Sequence, residues 1–247
     1  MSSPKVLILD VETSPALVWT YSLFKPVIGI DQVVEPTRMI CWAAGWADEK
    51  RIHFGSEWTD GPDHIVKLHR LWSEADAIVG WNSDAFDLGH IRREFREWGL
   101  PVPPPVRQID LMKHVKKNYT FLSNKLDWVS RRLLDDRKVS VSMMSLYLRI
   151  LEGDEKAMRK TETYNRKDTK LTRELYRMLE PELAQALNRG LWNGEEICCP
   201  KCGSTDLERR GYAYTQVSKF RRYVCRGCGS WSRTNVREGA TRGRHIA

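Results

Sequence analysis

The hydrophobic pattern opens on an uninterrupted apolar run, Val6-Leu-Ile-Leu9, that breaks into Asp10-Val-Glu12-Thr13. A short run of this kind ending in acids predicts a buried strand whose end opens into a site. Side chains alternate along a strand, so Asp10 and Glu12 share one side, roughly 6.5 Å apart by strand rise, and Val11 faces away. From Ser14 to Glu35 no period is clear, which predicts a loop. The apolar stretches Met39 to Trp46 and Arg51 to Phe54, with a turn at Asp48-Glu49-Lys50 between them, predict two more strands in an antiparallel meander with the first.

Helical spacing follows. Pro62 begins a helix whose buried stripe is Ile65, Leu68, His69 and Trp72. Ala77 to Trp81 is a strand, and Asn82-Ser-Asp84-Ala-Phe86-Asp87 leads into an amphipathic helix that ends at Gly99, a C-cap residue. Val106 to Asp110 reads as a last short strand. Helices are predicted over Leu122 to Leu134, Ser145 to Leu151 and Thr163 to Leu179. Strands in a meander, then helices alternating with strands, imply an α/β fold with a mixed sheet flanked by helices. The turn-rich Asn188 to Gly194 separates a main domain, 1–187, from a small one at 195–235, followed by a basic tail, 236–247, expected to be flexible.

Composition changes this picture in three ways. At 247 residues and 41% hydrophobic, the chain is long enough for one sizeable core plus a small module. The net charge of +8 is concentrated at the end, where Leu191 to Ala247 holds eleven Lys/Arg against five Asp/Glu. A basic tail on a nearly neutral body points to a polyanionic partner, nucleic acid in the usual case. The pattern has neither a signal peptide nor an apolar run that would cross a bilayer, so a soluble cytoplasmic protein without a membrane partner is expected.

Paired carboxylates at the end of a core strand repel unless a cation sits between them, and an all-oxygen donor set suits magnesium or manganese. Asp87 opens a helix, where a carboxylate also serves as a cap. Tyr164 and Asp168 are four residues apart and share a helix face. Each feature alone is commonplace. Together, Asp10-Val-Glu12, Asn82-Ser-Asp-Ala-Phe86-Asp87 and Tyr164-Asn-Arg-Lys-Asp168 closely resemble the three motifs of the DnaQ-like 3′→5′ exonucleases of the RNase H-like superfamily. The resemblance extends over residues 4–182 and is nearest to the proofreading domain of family B DNA polymerases. Ile109-Asp110-Leu111 and the Ser123 to Asp127 segment take part in it.

The resemblance implies a two-metal hydrolase with two magnesium or manganese ions. Asp10 would bridge them, and Glu12, Asp87 and Asp168 would complete the shells directly or through water. Tyr164 would hold the attacking water, which places the chain in the tyrosine (DEDDy) branch, because Thr163 stands where the other branch has histidine. Asn82 would brace its loop or touch substrate, and Leu17 and Phe86 would wedge against terminal bases. Asp84 is the alternative second-motif ligand; the family pattern, with its aromatic before the ligand, selects Asp87.

Cys199-Pro-Lys-Cys202-Gly and Cys225-Arg-Gly-Cys228-Gly form paired knuckles of zinc-ribbon type, implying one structural zinc held by four thiolates. Cys198 is left over, with Cys199 preferred as ligand by the spelling of the knuckle. Arginines, lysines, tyrosines and a tryptophan interleave around the knuckles and suit phosphate contact plus base stacking, although such ribbons also bind proteins. The expected function is 3′→5′ exonucleolytic hydrolysis from the free 3′ end of DNA, single-stranded by preference, with the ribbon assisting. A separate polymerase or a replication or repair complex is a candidate partner. The alternatives are an exoribonuclease and a non-catalytic adaptor on the same fold.

Overall fold

The computed structural model describes residues 3–136, 142–183, 186–193 and 197–243. The chain divides into two compact units, Lys5–Arg177 and a second formed by Met178–Ala247 with Met1–Pro4. The division falls ahead of the boundary at 187 expected from the turn residues.

In the first unit the elements are β1 (Val6–Thr13), β2 (Leu17–Val18), β3 (Val33–Glu35), β4 (Met39–Trp46), β5 (His53–Ser56), α1 (Glu57–Asp60), α2 (Asp63–Ser73) and β6 (Ala77–Gly80). They continue with α3 (Asp87–Glu97), β7 (Arg107–Asp110), α4 (Leu111–Asn118), α5 (Leu126–Leu133), α6 (Met143–Leu151) and α7 (Glu155–Leu179). Five strands form one sheet in the order β5-β4-β1-β6-β7. β1 pairs antiparallel with β4, and β4 with β5, whereas β1, β6 and β7 run parallel. This is the mixed α/β sheet expected from the alternation of elements.

The central position of β1 explains its sequence. Val6 to Leu9 are buried because both faces of the sheet are covered. Leu7, Leu9 and Val11 pack with Trp42, Ile65, Leu68, Trp72, Ile91 and Phe95 in the core beneath α2 and α3. Asp10 and Glu12 alternate to the other face, where Asn165 of α7 reaches Asp10.

Some elements differ from the pattern-based expectation. The third meander strand is His53–Ser56, shifted two residues from Arg51 to Phe54. Ser14 to Glu35 contains a small two-stranded ladder pairing Leu17 with Glu35. α4 was hidden because its start is marked by a side chain rather than a period: Asp110 accepts from Met112 N at 2.9 Å and Lys113 N at 3.3 Å. α7 starts at Glu155, eight residues before Thr163, where Asp154 Oδ1 accepts from Lys156 N at 2.8 Å and Ala157 N at 3.2 Å. Ion pairs one turn apart, Glu155–Arg159 at 2.9 Å and Glu162–Arg166 at 2.7 Å, support its exposed side by a few tenths of a kcal/mol each.

The second unit carries a three-stranded antiparallel sheet of β8 (Leu207–Tyr214), β9 (Ser218–Cys225) and β10 (Trp231–Ala240), with β9 central. β10 runs five residues past 235, so 236–240 are strand where a flexible tail was expected. Residues 244–247 of that tail lie outside the described residues. No helix among the described residues is long and apolar enough to cross a membrane.

Candidate active site

Asp10, Glu12 and Asp168 converge: one carboxylate oxygen from each lies within 4.8 Å of the others. Two come from alternate positions of β1, and the third from α7, which crosses the same face. α7 is held there by polar contacts. Thr169 Oγ1 donates to Ala43 O at 3.2 Å, Arg173 Nη1 to Glu49 O at 2.8 Å, and Arg177 Nε to Ala47 O at 2.9 Å. Asn165 Nδ2 donates to Asp10 Oδ2 at 2.7 Å and also approaches Asp10 O at 3.3 Å. Asn165 is wholly buried, and sequence reasoning missed it. Its only signal was its place within the third motif, one turn before Thr169 on the inner helix face.

Asp87 is not part of that three-carboxylate group among the described residues. It is buried, and its Oδ1 accepts from Val11 N at 3.0 Å, between the two acids of β1. The reason is topological. β6 pairs with β1 only through Val6 to Ile8 and ends at Gly80, so the Asp87 carboxylate takes over where strand pairing stops. Burial pushes the Asp87 carboxyl up to about 7, against the lowering effect of the Val11 N–H, and the nearby Asp110 adds to the rise.

The loop between β6 and α3 is organised by Asp110. Its Oδ1 accepts from Asn82 N at 3.0 Å and its Oδ2 from Asp84 N at 3.3 Å, while it also caps α4. Asn82 adopts φ of 63°, in the left-handed region that asparagine tolerates. Asp84 is engaged with Lys113 Nζ at 2.7 Å, which fits a loop residue. Phe86 is 40% exposed, with its ring 4.7 Å from that of His90, and Leu17 is 53% exposed on β2. Tyr164 faces inward, whereas Thr163 is exposed and bonds back to Arg159 O at 2.8 Å. Cys41, opposite Glu12 in the ladder, is a buried core residue whose thiol is pushed well up by burial and then by the charges of Glu12 and Asp10.

Asp10 and Asp168 line a cleft of about 560 Å³, whose other lining includes Trp81, Asn82, Lys116, Asn124, Lys125 and Asp127. Trp81 Nε1 donates to Asn124 O at 3.1 Å and joins two sides of it. A cleft lined by both carboxylates and lysines can hold cations and an anionic substrate together. The hard oxygen donors of Asp10, Glu12 and Asp168 fit a magnesium- or manganese-type ion.

In the second unit the sulfurs of Cys199, Cys202, Cys225 and Cys228 lie within 4.8 Å of one another. Cys199 and Cys228 are 3.6 Å apart, as are Cys202 and Cys225. These separations exceed a disulfide bond of about 2 Å. They approach the edge of a tetrahedron with metal–sulfur bonds of about 2.3 Å, roughly 3.8 Å. Against burial, which acts upward, the Ser230 hydroxyl 2.9 Å from Cys228 Sγ helps bring that thiol down to about 7. Cys198 is outside the cluster.

No curated protein matches the chain. Among solved structures, the family B DNA polymerase from the hyperthermophilic archaeon Pyrobaculum calidifontis is similar, with a TM-score of 0.55 at 17% identity. The similarity covers 73% of this chain and 25% of that one, so this chain corresponds to about a quarter of the polymerase. The family model described as RNase_H superfamily matches residues 35–180, from the end of β3 through α7. β4, β5, β6 and β7 of the mixed sheet lie within those residues and β1 precedes them, and the match, over more than half of the chain, shows that the chain belongs to the RNase H superfamily.

Proposed function

We propose that the protein is a metal-dependent 3′→5′ exonuclease of the tyrosine branch, acting on DNA with a free 3′ end, with the four-cysteine unit as a nucleic-acid-gripping zinc ribbon. The observation that carries this reading is the convergence of Asp10, Glu12 and Asp168, two of which, Asp10 and Asp168, line a cleft that Lys116 and Lys125 also line. Asp10, Glu12 and Asp168 would hold the metal, and Asp87, at the edge of β1 beside them, would complete the shell directly or through water. When bound, paired magnesium or manganese ions supply an activated water and neutralise charge on the departing oxygen.

The protein's own groups do the positioning. Asn165 turns the Asp10 carboxylate so that its orientation is set before substrate arrives. Lys116 and Lys125 offset phosphate charge across the cleft. Tyr164 holds the attacking water by hydrogen bond, because an ordinary phenol stays protonated at neutral pH and is a weak base. Asp110 shapes the Asn82 loop that borders the cleft, and exposed Phe86 and Leu17 supply apolar surface for terminal bases.

Purified protein with magnesium and 5′-end-labelled single-stranded DNA, or RNA in a parallel arm, tests this. A ladder of products shortened stepwise from the 3′ end is expected, and the DNA arm is expected to be faster. Asp10→Ala should remove activity by several orders of magnitude. Cleavage of circular single-stranded DNA, or near-normal activity of Asp10→Ala, would overturn the reading.

A further inference from the structure

The ribbon sheet has two chemically different sides, and strand register says which residue belongs to which. Phe220, Arg222 and Val224 alternate to one side of β9. On β10, Trp231 and Arg233 are the direct partners of Val224 and Arg222, so they share that side. Arg222 therefore stands opposite Arg233 in an antiparallel pair, where side chains leave the backbone only about 5 Å apart. Like charges placed this way destabilise a sheet unless an anion lies between them.

Each guanidinium also lies over an aromatic ring. Arg222 sits over Trp231 at 4.9 Å and Arg233 over Phe220 at 3.9 Å. A guanidinium held over a ring keeps N–H donors for other partners, and its fork matches phosphate oxygens. Arg222 spends one N–H on Arg210 O at 3.0 Å. Among the described residues, neither Arg222 nor Arg233 forms an ion pair with a carboxylate. Glu208, the acid on this side opposite Val224, is occupied by Arg210 at 2.7 Å and Arg226 at 3.5 Å.

The other side differs. Arg221 is neutralised by Glu238 at 2.6 Å, and Arg209 and Lys219 are both drawn onto the Tyr212 ring, at 5.3 and 5.0 Å.

We propose that the Phe220–Arg222–Trp231–Arg233 side of the ribbon is a backbone-phosphate clamp for nucleic acid, with a phosphodiester held between Arg222 and Arg233. The clamp deepens the proposed role of the ribbon and rests on it. It grips by charge and fork geometry, so it is indifferent to base sequence and requires no catalytic metal.

The test is binding of full-length protein to fluorescent single-stranded DNA carrying a 3′ phosphorothioate, in chelator too mild to strip zinc, across a salt series. The variants are Arg222→Gln with Arg233→Gln, and, on the opposite side, Arg221→Gln with Tyr214→Ala. Zinc content of one per chain certifies that each variant keeps its fold. The first pair should lower affinity tenfold or more at low salt and reduce the salt slope by about 0.7 to 1.4, the share of one to two phosphates. The second pair should change neither.

If only the second pair weakens binding, the wrong side has been chosen and the clamp is overturned. If neither does, the ribbon does not grip nucleic acid at all, a failure separable from the exonuclease reading because the end-labelled ladder is scored independently. If poly-glutamate displaces the DNA at equal charge concentration, the side is built for an acidic protein instead, and the clamp is likewise overturned.

Discussion

Asn165 donates its side-chain N–H to Asp10 Oδ2 at 2.7 Å, linking the middle of α7 to the acid at the end of the central strand. The two residues are 155 positions apart in the chain. The bond both docks the helix and sets how the carboxylate faces the cleft. Asn165→Ala is expected to lower metal affinity or turnover about 10–100-fold, the usual cost of losing a residue that orients a metal ligand. Asn165→Gln should not restore it, because the longer side chain places the donor elsewhere. Activity measured against magnesium concentration checks this: a curve unchanged from wild type would show that the bond does not orient Asp10.

Three carboxylates within 4.8 Å of one another repel when no cation is present. Manganese is therefore expected to raise the melting temperature, by mass action on the native state. Asp10→Asn removes one charge at nearly constant shape and keeps an oxygen for Asn165. In chelator it should melt above wild type, and it should gain less from added manganese. Paired thermal melts of both proteins decide it, and a mutant that melts lower in chelator would contradict the repulsion argument.

His64 makes stability depend on pH. It is buried in α2, and burial lowers its pKa from the ordinary 6.5 to about 4, against the opposing charges of Glu94 and Asp60. The folded state thus resists protonation that the unfolded chain accepts. The stabilisation is complete above about pH 6.5 and is lost as pH falls towards 4, with a span of ~3 kcal/mol. Denaturant melts at pH 7 and pH 4.5 should show a smaller difference for His64→Gln than for wild type. Equal differences in the two proteins would remove His64 from the account.

Asp110 accepts from four backbone N–H groups, those of Asn82, Asp84, Met112 and Lys113. Asp110→Ala strands these donors and removes the cap of α4, at an expected cost of about 2–4 kcal/mol. The Asn82 loop should also loosen, so activity should fall further than stability alone would require. Denaturant unfolding together with assays well below the midpoint separates the two effects.

Cys202→Ser is expected to lower zinc content from one per chain towards none, since a structural site needs all four thiolates. Elemental analysis after dialysis reads this directly. Hydrolysis of short substrates should survive, because the cleft residues all belong to the first unit.

The sequence was sufficient where chemistry is local or periodic. The apolar run of β1, the alternation that places Asp10 and Glu12 together, the meander to β4 and the four-cysteine spacing all follow from spacing along the chain. So does the shared helix face of Tyr164 and Asp168, four residues apart, whereas the preference for Tyr164 over Thr163 came from the family resemblance. What spacing cannot carry is any relation set by contacts remote in sequence. Asp87 looks like the third motif's equal, yet it bonds the Val11 N–H, because β6 stops pairing with β1 at Ile8 and leaves that donor open. Asn165 looks like a helix filler until α7 is laid across β1. α4 spans two turns with only Leu111 and Val115 as its buried face, too short a period to stand out without the Asp110 cap. The two sides of the ribbon are invisible in a list of arginines and aromatics, since only strand register sets Arg222 opposite Arg233 and Arg221 beside Glu238. Local propensity and period are written residue by residue, whereas pairing, burial and charge neighbours come into being only when distant segments meet.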